Sequence, residues 1–514
     1  MRTNKNFLRF YSVIILFLTI TAIGILLSDL GKTWMQHELF FHKKSIMQDI
    51  PPGTPIKEQL KYAFNVEVFE GLPRGTRPLS SLMEIIDTKF RVSLWKHIFP
   101  HPSISVTWIF TLILSPVLLF LILKRFGFSV NAAFLLISFY LLQPGNLSHL
   151  TMLFRPSKPM TNFSIIFCVF LFSEYSNRAF SSSLRRLLFF IFNCAAVYFS
   201  FFWDETAILI FPLIPILFPD CFKEKSRKIL YILLIPLTYL SFFYFLPYIG
   251  AHAGYPSESL TKFKIFNDAA LLRNVSARLF KNILITGYNF LTFWADSFGF
   301  YAMPCKSKNI TSTIILTLNI PGLLYIFYSI YRLCTNCQKK KEQFSMQCMF
   351  HMKILLIFLT FVNLFHSYLM ISVGYHPVWG IYWYGVYFSP ILVLISARIF
   401  SLFKDTEIFR NEVSNAVHKP VFPLVITVLF LSLFTLFIHT NNVLKKCHYY
   451  PFDPVYAGYA WAYQETRIGL EMPDHTEIRQ RIKKIILAGE REEKIYPKRT
   501  HDELKWLDYE VLNK

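Results

Sequence analysis

Long apolar runs separated by short, mostly basic breaks make up most of this chain. Runs approaching the roughly 20 apolar residues that a helix needs to cross a bilayer lie at 12–27, 106–123, 131–142, 160–172, 187–203, 206–218, 229–248, 310–330, 354–371, 380–399 and 421–438. The pattern predicts an all-α polytopic membrane protein of about 11 transmembrane helices.

The breaks set direction. Lys124-Arg125-Phe126-Gly127, the segment with Arg178, Arg185 and Arg186, the basic turn at 221–228, Arg332 with Lys339-Lys340-Lys341, and the loop at 401–419 carry the cations. The positive-inside rule places such loops in the cytoplasm. Residues 1–11 are also basic, and no small-residue cleavage site follows the first run, so that run reads as a retained helix. The long polar stretch 29–102, the segment 143–159, Asp204-Glu205 and 249–281 then lie on the outer side. An aromatic stretch at 282–303 is broken by Asn289, Asp296 and Gly299. Counting it as a span would put the lysine-rich turn outside, so it reads as interfacial or re-entrant. The chain therefore divides into a multi-span region, 1–440, and a small polar extracytoplasmic tail, 441–514. One amphipathic helix is expected in that tail, from Ile478, Ile482, Ile485 and Ile486.

Composition agrees with this picture. A 54% hydrophobic and 18% aromatic chain with mean hydropathy +0.39 lies outside the range of ordinary soluble proteins. A net charge of +21 would suggest nucleic acid in a soluble domain. Here the cations sit at the ends of apolar runs, so the charge is topological, with membrane lipid phosphates as a secondary target and no nucleic-acid partner. Eight cysteines, with Cys168 and Cys194 inside apolar runs, form no disulfide framework. Cys334-x2-Cys337 and Cys348-x2-His351 carry the ligand set of a structural zinc site, or are four unrelated residues beside a lysine-rich turn. No metal site is assigned.

The stretch 29–102 is unusually rich in acids, bases and histidines for a connection between helices. Glu38 and Asp49 follow the first span closely and read either as a general base for an acceptor hydroxyl or as solvated loop acids. Arg74 and Arg77 lie in Arg-Gly-Thr-Arg-Pro, where proline stiffens the chain. Guanidinium groups held this way suit phosphate oxygens, or anchor the chain to lipid headgroups. Arg155 and Lys158 flank Pro156 after Gln143-Pro144, as a phosphate clamp or a snorkelling pair. Asp204-Glu205 sits between two apolar runs, where carboxylates usually face a cavity or a partner. Tyr375, His376, Trp379, Tyr382, Trp383, Tyr384 and Tyr387 make an interfacial aromatic belt or a sugar-stacking platform. Asn146, Asn162, Asn274 and Asn309 begin formal glycosylation sequons, although Asn162 lies in an apolar run.

In order, these pieces resemble the GT-C superfamily of membrane glycosyltransferases, in its protein O-mannosyltransferase-like and TMTC-like branch. Arg77-Pro78-Leu79 with Leu82 and Ile85 is similar to that branch's Arg-Pro element. Gln143-Pro144 and Arg155 stand where a His-Pro element and an arginine are usual. Trp203-Asp204-Glu205 through Pro212 is similar to its small-Lys-Glu element, with Glu205 in the place of the glutamate and Asp204 where lysine is usual. The paired carboxylates common after the first helix are replaced by separated Asp29, Glu38 and Asp49, and Trp383-Tyr384 stands near the place of an Arg-Tyr element.

The resemblance implies displacement at the anomeric carbon of a sugar carried on a polyprenyl phosphate, with a saccharide, lipid or protein as acceptor. Glu38 or Asp49 would be the base, and Arg74, Arg77, Arg155 or Lys158 would meet the departing lipid phosphate. A divalent cation at the acidic site is possible in this superfamily. Competing readings are a transporter or flippase of lipid-linked saccharides, a polymerase or ligase, and an inactive GT-C relative. A bacterial inner membrane is the expected location.

Overall fold

The computed structural model describes residues 11–24, 54–63, 68–69, 72–73, 77–97, 105–143, 146, 156–246, 248–249, 350, 353–354, 357–358, 388–403 and 430. These are almost wholly helical. Helix α1 is Tyr11–Gly24, α2 is Ile56–Ala63 and α3 is Pro78–His97. Between α2 and α3 a two-residue antiparallel ladder pairs β1, Val68–Phe69, with β2, Leu72–Pro73. Helix α4 is Val106–Arg125, α5 is Val130–Leu142, α6 is Ser157–Asn177 and α7 is Ser183–Ser200. A 3₁₀ turn, Glu205–Leu209, leads into α8, Ile210–Leu217, and a second, Pro219–Phe222, precedes α9, Lys225–Leu240. Helix α10 is Phe388–Phe403.

Two of these, α4 and α7, are long and apolar enough to cross a membrane. Large apolar side chains such as Phe17, Ile113, Leu188 and Leu233 are more than half exposed, a surface that water would penalise and lipid would not. Polar residues turn the other way. Thr107, Thr111 and Ser115 are buried along one side of α4, spaced at four residues so that they share a face.

Local signals start and stop the helices where they are found. Ser129 and Ser182 cap α5 and α7, accepting from Ala132 N at 3.3 Å and Arg185 N at 3.2 Å. Helix α4 ends in a Schellman arrangement: Gly127 adopts φ 82°, Phe128 N donates to Leu123 O and Gly127 N to Lys124 O, both at 3.0 Å. Only glycine enters that left-handed conformation without strain from a Cβ. Within α4 a π-helical segment, Ile109–Leu114, precedes Pro116. Widening the helix there accommodates a residue that has no N–H to give and a ring that crowds the preceding turn.

Helix α6 is the hub, packed against α3, α4, α7, α8 and α10. Ile165, Ile166, Cys168, Val169 and Phe172 are wholly buried on it. The stretch 29–102, expected to be a polar loop, contains the helices α2 and α3. The run expected at 160–172 begins three residues earlier, so Lys158 lies in the first helical turn and not in a connection. The segment 282–303, the run 310–330 and the tail 441–514 lie outside the described residues.

The helix pairs α4–α5, α6–α7 and α8–α9 are joined by short turns. The turns after α4, α6 and α8 carry Lys124-Arg125, Arg178 with Arg185 and Arg186, and Lys223, Lys225, Arg227 and Lys228. The two latter turns are tied by rings: Phe222 lies 5.9 Å from both Phe172 and Phe190, and 4.9 Å from Tyr231. The basic turns thus gather at one end of the bundle.

Candidate functional site

At the opposite end, three chain segments converge. Pro78 opens α3, a position that needs no N–H and welcomes the fixed φ of proline. This places Arg77 just before the first turn. Leu79 N donates to Phe202 O at 3.2 Å, which fastens that turn to the bend following α7. Arg77 Nη1 then reaches to within 3.2 Å of Asp204 Oδ2. Lys158, in the first turn of α6, is buried and acts on the same carboxylate.

Asp204 is nearly inaccessible, at 2% exposure. Its Oδ1 accepts from Thr206 N at 3.0 Å and from the Thr206 hydroxyl at 2.7 Å, capping the 3₁₀ turn. Its Oδ2 faces Arg77. Burial on its own would raise the carboxyl pKa, but the Arg77 and Lys158 cations and the two Thr206 donors outweigh it and hold the group below its ordinary range. Such a carboxylate is a poor proton acceptor near neutrality. Its chemical role is to fix the guanidinium of Arg77.

Of the residues singled out from sequence, Arg77, Lys158 and Asp204 come together here. Glu205 begins the 3₁₀ turn next to Asp204. Glu38, Asp49, Arg74 and Arg155 lie outside the described residues, as do Cys334, Cys337, Cys348, His351 and the aromatic series from Tyr375 to Tyr387. Among the described residues, no three His, Cys, Asp or Glu side chains gather as metal ligands.

Two polar contacts were not foreseen from sequence, although Asn146 and Asn162 were noted there as formal sequons. Asp87, on α3, accepts from Thr107 N at 3.1 Å and the Thr107 hydroxyl at 2.6 Å. It therefore caps α4 from another helix, where Ser105, the residue in the cap position, makes no capping hydrogen bond with its side chain. One turn beyond Lys158, Asn162 accepts from the Tyr140 hydroxyl at 2.8 Å, and its amide donates to Asn146 Oδ1 at 3.2 Å. All three are buried, and a buried amide needs such partners. The signal available for the second feature was an asparagine inside an apolar run. It also means that two formal sequons are engaged in internal packing. No protein-family model, curated protein or solved structure matches the chain.

Proposed function

We propose that this chain is a multi-pass integral protein of a bacterial inner membrane, with about 11 spans, that moves a sugar from a polyprenyl-phosphate donor to an acceptor on the extracytoplasmic face. The observation that carries this reading is the convergence of Arg77 and Lys158 at the end of the bundle opposite the basic turns. The positive-inside rule assigns those turns to the cytoplasm, so the Arg77 end faces outward. There the headgroup of a flipped lipid-linked sugar arrives.

In the proposed reaction an acceptor oxygen bonds to the anomeric carbon as the bond from that carbon to the phosphate oxygen breaks. Arg77 and Lys158 receive the charge that grows on the leaving lipid phosphate. Glu38 or Asp49 takes the acceptor proton. Asp204 holds Arg77 in position throughout, which lowers the cost of ordering a long side chain at each turnover.

The test is transfer from radiolabelled polyprenyl-phosphate sugars by the chain reconstituted in liposomes with an envelope extract as acceptor. Arg77→Gln and Lys158→Gln should each lower transfer by roughly 100-fold, the scale of losing one charge-stabilising donor. Full activity in both would remove them from phosphate stabilisation. Absence of transfer from every donor would sink the reaction itself. The buried polar line of Thr107, Thr111, Ser115, Tyr140 and Asn162 favours a second reading, a transporter of lipid-linked saccharides. Movement of donor across the liposome membrane without transfer would select it.

A further inference from the structure

We infer that the basic end of the bundle binds anionic phospholipid, with the phosphate on Arg185, Arg186, Lys225 and Lys228 and the acyl chains along the apolar side chains that follow them. This rests on the reading that the helices cross a membrane, and concerns the end away from Arg77.

The described acids at this end are engaged. Glu174 pairs with Arg125, Glu224 with Arg227 and Asp220 with Lys223. Arg185, Arg186, Lys225 and Lys228 are exposed, and no described carboxylate pairs with them. Four exposed cations that no described acid pairs with form a cationic surface, and each cation near an anionic leaflet contributes about 1 kcal/mol of attraction.

The cations belong to one surface because the turns that bear them are packed together. Arg186 lies 5.7 Å and Arg227 5.5 Å from the centre of the same ring, Tyr175, and α7 packs on α9. Arg227 is buried beneath this surface and holds Glu224, so the acid nearest to Lys225 and Lys228 is neutralised from below.

What selects a lipid over a free phosphate is the continuation of each helix. Arg185 shares a helical face with Leu188 and Phe192, and Lys225 shares one with Ile229 and Ile232. All four apolar residues are exposed. A soluble anion uses the cations alone, whereas a phospholipid covers both the cations and the stripes.

The experiment embeds the full chain in nanodiscs of mixed phosphatidylglycerol and phosphatidylcholine and counts retained lipids by native mass spectrometry. The wild type should retain phosphatidylglycerol preferentially. The doubles R185Q/R186Q and K225Q/K228Q should each lose that preference, by roughly fivefold per cation removed. The charge-preserving doubles R185K/R186K and K225R/K228R should keep it, which separates charge from folding. Equal retention of the two lipids by the wild type, or undiminished preference in both glutamine doubles, overturns the inference. So does release of the lipid by millimolar glycerol phosphate, which would mark a site for soluble anions. A chain that does not enter nanodiscs overturns the membrane reading as well, whereas an embedded chain with no lipid preference fails this inference alone.

Discussion

Arg77 Nη1 lies 3.2 Å from Asp204 Oδ2, and the contact joins the start of α3 to the bend after α7. The pair is largely withdrawn from water, with 14% and 2% of the two side chains exposed. Removing one partner leaves the other charge buried, which costs about 3 kcal/mol at the lower end of the usual range. Arg77→Ala should therefore lower thermal stability in detergent strongly, and adding Asp204→Asn should recover part of the loss. If the double variant is less stable by the sum of the single losses, the two residues are not coupled.

The same carboxylate sets a pH dependence. Its folded pKa lies below the ordinary value of 3.8, so the folded state binds its proton less readily than the unfolded state. The stabilisation is fully present above 3.8 and is lost as pH falls below that value through the folded pKa. Melting temperatures of the wild type and Asp204→Asn, followed from pH 6 to pH 3, should therefore converge only at the acid end. A constant difference across that range would show that ionisation of Asp204 contributes nothing.

Capping of α4 by Asp87 is open to a double-mutant cycle with Thr107. Asp87→Ala should cost roughly 1–2 kcal/mol, the scale of a lost helix cap, and Thr107→Val should cost less, since it keeps the backbone donor. The two losses should fall short of additivity because they remove a shared bond. Unfolding monitored by tryptophan fluorescence reads both.

Asn146 and Asn162 hydrogen-bond to each other and are at most 1% exposed. Expression in a glycosylating host should give no glycan on either, as peptide mass mapping would reveal. Asn162→Ala should destabilise the fold by about 1–3 kcal/mol, since it leaves the Tyr140 hydroxyl and the Asn146 carbonyl oxygen without that partner. A glycan on Asn162 in the folded protein would contradict this packing.

Cys221 lies in the 3₁₀ turn before α9, and burial followed by the nearby Asp220 charge pushes its thiol up to about 12. Only the thiolate attacks maleimides. At pH 8 Cys221 should stay unlabelled in the folded chain and become labelled after denaturation, by peptide mapping. Rapid labelling of the native protein would mean that this turn opens readily.

Much of the helical layout is written locally. The starts of α4 and α5 fall within one residue of the expected runs, and α7 begins four residues before its run. Apolar length, a serine cap and a glycine at a helix end act within a few residues. Helix α3 was less legible. Its sequence mixes Ser80, Glu84, Asp87, Lys89 and Arg91 with apolar residues, and so reads as an outer loop. Its Ser80, Ser81, Glu84 and Asp87 are nevertheless buried, because α4 and α6 lie against it.

By itself the sequence determined where the long apolar helices among the described residues lie, which of their turns carry the cations, and that Arg77, Lys158 and Asp204 were worth attention as separate residues. Tertiary structure decided that these three meet, that Asp204 caps a turn while holding a guanidinium, and that Asp87 serves a helix other than its own. The physical reason is range. Hydrophobic length and capping depend on neighbours along the chain, whereas a buried charge is tolerable only beside its counter-charge, and which residue supplies that depends on how distant helices pack.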